Sequence, residues 1–261
     1  MNRIIYNSSY HPKKPIRKRY SLLIPAAGKG SRLGYSKAKI LCPIKNKLIL
    51  NYVIDPFLDY VDEINIIVSP KEKTNIEKEI SSYKNHCDVR LIIQKNPIGM
   101  AHALSLSEKK TSFENVIVIW GDQVGFKNTF IYKLLCLHEF YNEAVMTLPT
   151  YLKKKPYINI KRDEKNKIIY VEESREGTVS SNFGENDLGL FIFRKEILFE
   201  VIKNKMKKKV GGITKEYNLL PMFPEFQKLG FVNTLRIKAN NNIFGINDIE
   251  DLKKAEEKLN F

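Results

Sequence analysis

The 261-residue sequence predicts an α/β fold built on a largely parallel central sheet. Two observations carry this expectation. From Tyr20 onward, short apolar runs rich in β-branched residues alternate with helix-like segments, as they do in successive βαβ units. The unusual residues fall immediately after the apolar runs, where open α/β sheets collect their ligands. In chain order, the pattern predicts strand 21–25, helix 48–60, strand 63–69, helix 71–84, strand 88–94, helix 99–110, strand 115–120 and helix 127–142. Strands 143–149, 167–173 and 188–193 follow, then helix 194–208, strand 231–238 and a last helix from about 248 to 259.

A chain of this length forms one large domain or two closely packed lobes and buries most of its apolar surface on folding. Residues 1–20 read as a basic N-terminal tail. Arg3, Lys13, Lys14, Arg17, Lys18 and Arg19 lie there with no acidic residue among them, and His11-Pro12 and Lys14-Pro15 disfavour helix. The domain then occupies 21–261, with a working division into lobes at about 21–125 and 126–261. The stretch 205–212, basic and ending in paired glycines, reads as a mobile connection.

The net charge of +15 would suit a polyanionic partner. Much of the excess sits in the tail and on lysine-rich faces, including a run at 203–209, and neither a zinc finger nor an RNP-like aromatic motif accompanies it. No specific nucleic-acid partner is therefore expected. Cys42, Cys87 and Cys136 are odd in number and contain no CxxC pair, which fits a reducing cytoplasm. No apolar run approaches the roughly 18 residues needed to span a bilayer, and the N-terminus lacks a signal-peptide core, so neither membrane insertion nor export is expected.

The first segment that carries chemistry is LLIPAAGKGSRLGYSKAKILCPI. Ala26, Ala27, Gly28 and Gly30 offer main-chain N–H groups without side-chain obstruction, as cradling a base and a triphosphate requires. Arg32 and Lys39 add cations for phosphate oxygens. A Rossmann GxGxxG would need glycine at Leu33, and the Walker spacing also fails.

This loop resembles the signature of nucleotidyltransferases acting on sugar 1-phosphates, and in particular that of N-acetylglucosamine-1-phosphate uridylyltransferases. Their pattern is approximately LAAGxGTRM followed by PKxL. Here Ser31 stands for the threonine, Ala38 stands for the proline, and Lys39-Ile40-Leu41 falls at the right distance. The resemblance spans about 21–252. It implies a Rossmann-like, GT-A-like nucleotidyltransferase fold with a nucleotide-binding lobe at about 21–125 and a sugar-binding lobe at about 126–261.

The remaining segments extend the resemblance. In QKNPIGMAHA, Gln94 carries both a donor and an acceptor for a base edge. The related QxxxxGTxxA pattern implies that the Gly99 backbone approaches the pyrimidine, with Met100 in place of a threonine. His102 is expected to pack or cap locally. In VIVIWGDQVG the strand delivers Asp122 to the sheet edge, where a lone carboxylate suits Mg²⁺, an ion that relies on substrate phosphates for its other ligands. FGINDIEDL resembles GVNxxxxL and implies Asn247 as the second protein ligand of the magnesium, an N-cap being the simple alternative. On the sugar side, Pro156-Tyr157-Ile158 resembles a GYG turn whose backbone contacts the sugar, with Ile158 in place of glycine. VEESRE resembles IVExKD and implies Glu173 as a ligand of sugar hydroxyls, Glu172 being the competing choice. Asp187 stands where the resemblance has an asparagine of an NTG segment.

The resulting expectation is an Mg²⁺-dependent enzyme, cytoplasmic, that joins a nucleoside triphosphate to a sugar 1-phosphate. Arg32 and Lys39 would act on the departing pyrophosphate. The β-helix acetyltransferase domain of bifunctional relatives is absent from the sequence, so pyrophosphorylase activity alone is expected. Two rivals stand beside this reading: a cytidylyltransferase acting on a phosphorylated alcohol or amine, and a non-catalytic binding protein using the basic tail. UTP against CTP, the identity of the acceptor and the oligomeric state stay open at this point.

Overall fold

The short apolar runs become neighbours in one sheet. The computed structural model of the chain describes residues 3–12, 16, 19–28, 30, 33–140, 144–238 and 242–259. Its strands are β1 (Arg3–Tyr6), β2 (Tyr20–Pro25), β3 (Pro43–Ile44), β4 (Lys47–Leu48), β5 (Val61–Val68), β6 (Asp88–Ile93), β7 (Asn115–Ile119) and β8 (Gln123–Val124). They continue with β9 (Ala144–Lys154), β10 (Ile158–Arg162), β11 (Ile168–Glu173), β12 (Phe183–Asp187), β13 (Leu190–Arg194), β14 (Phe231–Ile237) and β15 (Phe244–Gly245). The helices are α1 (Ile49–Ile54), α2 (Lys73–Glu79), α3 (Met100–Ser105), α4 (Asn128–Phe140), α5 (Lys195–Lys205), α6 (Phe223–Leu229) and α7 (Ile249–Lys258).

Among the described residues, nine strands form the main sheet in the order β1-β14-β9-β13-β7-β2-β5-β6, with β12 added to β9. The pairs β14·β9, β7·β2, β2·β5 and β5·β6 are parallel, while β13 runs antiparallel between β9 and β7. After β2 the chain builds β5 and β6 on one side, then returns to place β7 on the other. That reversal is a topological switch point, and the crevice between the ends of β2 and β7 is where such sheets bind ligands.

Both faces of the sheet are covered. Ile117 and Ile119 of β7 pack into a core with α1, α4 and α7, whereas Val116 and Val118 point to the opposite core, formed with α3, α5 and α6. This alternation explains why β7 reads as an uninterrupted apolar run: each face meets a helical layer. Several helices are shorter than their patterns predict. The 48–60 segment gives α1 and then a 3₁₀ turn at Asp55–Phe57, where Pro56 cannot supply the N–H that would continue an α-helix.

The N-terminal stretch is not simply a tail. Arg3–Tyr6 pairs in parallel with β14 as the edge strand β1, and Asn7 N–H continues the ladder to Arg236 O at 2.8 Å. Ile5, Tyr10 and Ile16 pack against the core, and Arg19 pairs with Asp62 at 2.9 Å. The apolar Ile4-Ile5-Tyr6 triplet supplies the strand, but its partner lies more than 200 residues away, so only the folded chain shows the pairing. Lys13, Lys14, Arg17 and Lys18 lie outside the described residues.

The stretch expected to be a mobile connection is held down. Gly211 N–H bonds to Glu216 O at 2.9 Å, Val210 bridges Tyr217, and the Glu176 carboxylate accepts from Ile213 N–H at 2.8 Å. No helix among the described residues is long and apolar enough to cross a membrane.

Candidate active site

A cleft of about 740 Å³ opens at the switch point. Pro25, the last residue of β2, leads into Ala26, Ala27, Gly28 and Gly30, all of which line it. Gly30 has φ +58°, and a Cβ there would stand 2.9 Å from Lys39 Cβ, so the loop turns tightly onto Lys39. Arg32 and Ser31 lie outside the described residues.

Lys39 and Asp122 meet in this cleft. Lys39 comes from the 3₁₀ turn Lys39–Leu41 and Asp122 from the end of β7, and Nζ lies 2.7 Å from Oδ2. Asn247 lines the same cleft, 125 positions further along the chain than Asp122. The short antiparallel pair β15·β8 brings the two segments together, with Ile246 N–H donating to Asp122 O at 2.9 Å. Asn247 does not cap α7. Asp248 does, its side chain accepting from Asp251 N–H at 3.0 Å. The Asn247 amide is thus not needed for the cap. A carboxylate and an amide oxygen form a hard-donor pair that suits Mg²⁺, and the described residues contain no group of three or more His, Cys, Asp or Glu arranged for a metal.

Gln94 follows β6 and is 3% exposed. Its Nε2 donates to Gly99 O at 3.2 Å and lies 2.9 Å from His102 Nδ1. The Gly99 carbonyl can only accept, which identifies the nitrogen of the Gln94 amide and makes His102 Nδ1 the acceptor. Burial holds the His102 pKa below the usual histidine value, in keeping with a neutral ring. His102 therefore does more than pack: it orients Gln94 and leaves the amide oxygen as the group with unspent capacity. Gly99 has φ +117°, and a Cβ there would fall 2.5 Å from the Tyr217 backbone. Met100 begins α3 and lines the cleft.

Ile158, Glu173 and Asp187 line the cleft as well. The N–H groups of Tyr157 and Ile158 both donate to Asn186 Oδ1, at 3.1 and 3.0 Å, so the turn expected to contact a sugar through its backbone has spent those two donors internally. The alternation of β11 separates the two glutamates. Glu172 binds Asn159 Nδ2 at 2.7 Å and Ser180 Oγ at 2.8 Å away from the cleft, and Glu173 faces it. One carboxylate oxygen of each of these two acids, Glu173 Oε1 and Asp187 Oδ2, is buried without a hydrogen-bond partner among the described residues. Burial pushes the Glu173 carboxyl up to about 7 against the attraction of Arg175, and pushes Asp187 up to about 6 against the Gly189 N–H.

Residues 22–169, more than half of the chain, match the MobA-like NTP transferase domain. The chain belongs to the MobA-like NTP transferase domain family. It is 28% identical over 244 residues to the bifunctional protein GlmU of Thermosipho africanus, covering 91% of this chain and 50% of that protein. To the bifunctional protein GlmU of Acholeplasma laidlawii it is 25% identical over 249 residues, covering 93% and 52%. The chain thus spans about half the length of the curated relatives it matches. A Bacillus anthracis protein assigned as a glucose-1-phosphate thymidylyltransferase, crystallised with sucrose, superposes with a TM-score of 0.71 at 18% identity. The match covers 93% of this chain and 97% of that one, and it shows the shared fold.

The NTP transferase cleft also contains residues that sequence reasoning missed. Tyr151 and Lys153 reach it from β9, Arg175 from the 3₁₀ turn Ser174–Glu176, Glu216 from a loop, and Lys254 from α7. Arg175 was legible in VEESRE as the cation two residues after Glu173. The others were not, since Lys153 is one lysine of three in a row at 153–155, and only the pairing of β9 with β12 turns it toward the cleft.

Proposed function

We propose that this protein transfers a nucleotidyl group from a nucleoside triphosphate, UTP by preference, to a sugar 1-phosphate, releasing pyrophosphate and an NDP-sugar. The observation that supports this reading best is the convergence, at the switch point of one sheet, of a small-residue loop with Lys39, Asp122 and Asn247 and of Gln94 with Glu173 and Asp187. A phosphate monoester is already an anionic nucleophile, so no general base is needed. Its oxygen bonds to the α-phosphorus as the bond to the bridging oxygen of pyrophosphate breaks in line, and positioning with charge neutralisation supplies the acceleration.

The N–H groups of Ala26, Ala27, Gly28 and Gly30 cradle the triphosphate in this reading. Lys39, held in the free protein by Asp122, turns with Arg32 to the departing pyrophosphate. Asp122 and Asn247 would hold Mg²⁺, which supplies further neutralisation of phosphate charge when bound. For the base, Gln94 presents its oxygen because Gly99 O and His102 Nδ1 engage the nitrogen. Uracil N3–H is a ring-edge donor for that oxygen, whereas cytosine N3 is an acceptor and only the exocyclic N4–H₂ of cytosine can donate on that edge. A second reading, CTP with a phosphorylated amine, draws support from the unpartnered carboxylate oxygens of Glu173 and Asp187.

A pyrophosphate-release screen across four triphosphates, a set of sugar 1-phosphates and phosphorylated amino alcohols, with Mg²⁺ and with chelator, tests the proposal. UTP with a sugar 1-phosphate gives the highest turnover, and chelation abolishes it. Release of no pyrophosphate from any pair would overturn the reading. CTP with a phosphorylated amine as the best pair would select the second one.

A further inference from the structure

We propose that the acceptor carries a cationic nitrogen, which docks between Glu173 Oε1 and Asp187 Oδ2. This rests on the nucleotidyl-transfer reading of the cleft and names the chemistry at the far side of its second substrate.

Four of the other buried carboxylates are ion-paired, while Glu72 accepts from Asn75 Nδ2 at 3.0 Å. Glu63 is paired with Arg90 at 2.8 Å and Glu172 with Lys161 at 3.4 Å. Glu225 is paired with Lys205 at 3.1 Å and Lys228 at 3.2 Å. Glu185 has two arginines, Arg162 at 2.8 Å and Arg236 at 2.9 Å. Each of these four carboxyls is held below the usual value, its hydrogen-bond and ionic partners outweighing burial. Asp187 lies two residues after Glu185 on the same strand and is as thoroughly buried, both at 6% exposure. Yet its ligands are neutral: Oδ1 accepts from Gly189 N–H at 2.6 Å, and no cation among the described residues reaches it. Glu173, 3% exposed, has only Arg175 at 3.3 Å as a cationic partner among the described residues, and that guanidinium is shared with Glu216 at 3.0 Å.

Two carboxyl groups with one unpartnered oxygen apiece therefore border the cleft; among the described residues no cation offsets the charge of Asp187, and Glu173 has only a share of the Arg175 guanidinium. A hydroxyl could satisfy the oxygens but would leave that charge desolvated. An ammonium has donors, no acceptor, and the missing charge. A buried carboxylate is costly unless it is paired, and a ligand cation is the partner this arrangement lacks. Asp187 sharpens the point, because an asparagine there could serve hydroxyls equally well without any charge to desolvate.

The test pairs turnover with direct binding. In calorimetry on the full chain, glucosamine 1-phosphate binds at least about 30-fold more tightly than N-acetylglucosamine 1-phosphate or glucose 1-phosphate, the scale for one fully desolvated charge contact. Phosphoethanolamine binds with the same preference over glycerol phosphate if a phosphorylated amino alcohol is the source, and phosphocholine, whose quaternary nitrogen has no N–H to donate, binds less tightly than phosphoethanolamine. Pyrophosphate release with the favoured triphosphate follows the same order. Asp187→Asn and Glu173→Gln each cut the preference for the amine by about tenfold or more while leaving binding of the triphosphate unchanged. Equal or tighter binding of the neutral compounds overturns the proposal, as does a preference that survives both substitutions. Tight, amine-selective binding without pyrophosphate release would instead overturn the nucleotidyl-transfer reading and leave the cation site standing.

Discussion

Asp187→Asn should make the ligand-free protein more stable at neutral and alkaline pH. The carboxyl rises from 3.8 to about 6 because it is buried, with the Gly189 N–H opposing only part of that cost. A shift of about 2 units corresponds to about 3 kcal/mol disfavouring the ionised folded state, at about 1.4 kcal/mol per unit. In the unfolded chain the group ionises near its ordinary value. Below about pH 4 both states are protonated and the term is absent; between about pH 4 and 6 the unfolded chain sheds its proton first and folding stability falls; above about 6 the full cost stands. Asparagine keeps the shape, can still accept from Gly189, and carries no charge. The gain at pH 8 should therefore approach about 3 kcal/mol, with Glu173 and Tyr151, the ionisable neighbours of Asp187, also relieved of its charge. For a chain of this size that is a rise in Tm of about 5–10 °C. Urea unfolding or calorimetry from pH 4 to 8 reads it. A variant less stable than the parent at pH 8, or a difference that does not change with pH, would refute the reasoning.

Other expectations follow from named contacts. Asp122→Ala and Asn247→Ala should each lower turnover about 100-fold or more, with the double mutant little worse than Asp122→Ala, since both would position one ion. Because Asp248 is the cap, Asn247→Ala should leave Tm unchanged; additive kinetic effects across a Mg²⁺ titration would break the link. Gly99→Ala forces a side chain into a positive-φ position 2.5 Å from the Tyr217 backbone and should cost about 3 kcal/mol or more, visible as a lowered urea midpoint. Gln94→Ala should weaken discrimination among pyrimidine triphosphates more than it slows the best one, and His102→Ala should do so in the same direction by freeing the Gln94 amide; an unaltered base preference removes both from the base pocket. Deleting residues 1–9 bares the β14 edge, so it should lower Tm and promote aggregation while sparing turnover, and a still-folded truncation without activity would contradict this.

Much of this protein was readable from local chemistry. The alternation of apolar runs with helical segments specified an α/β sheet, because strands buried on both faces need no polar face and leave that mark in sequence. The loop after β2 and the residues ending β6, β7 and β11 stood out for the same reason that makes them useful: small, amide or acidic residues directly after apolar strands are poor core material. What the sequence could not show was distance across the chain. That Arg3–Tyr6 closes the edge of β14, that Asn247 lies beside Asp122 through β15·β8, and that Gly99 packs on Tyr217 are pairings between remote segments, with no local signature. Charge compensation is of the same kind. Glu185 and Asp187 are near neighbours of similar character in the sequence, and only the folded chain decides that the first meets two arginines while the second meets none among the described residues, because a partner's charge matters by its distance in space.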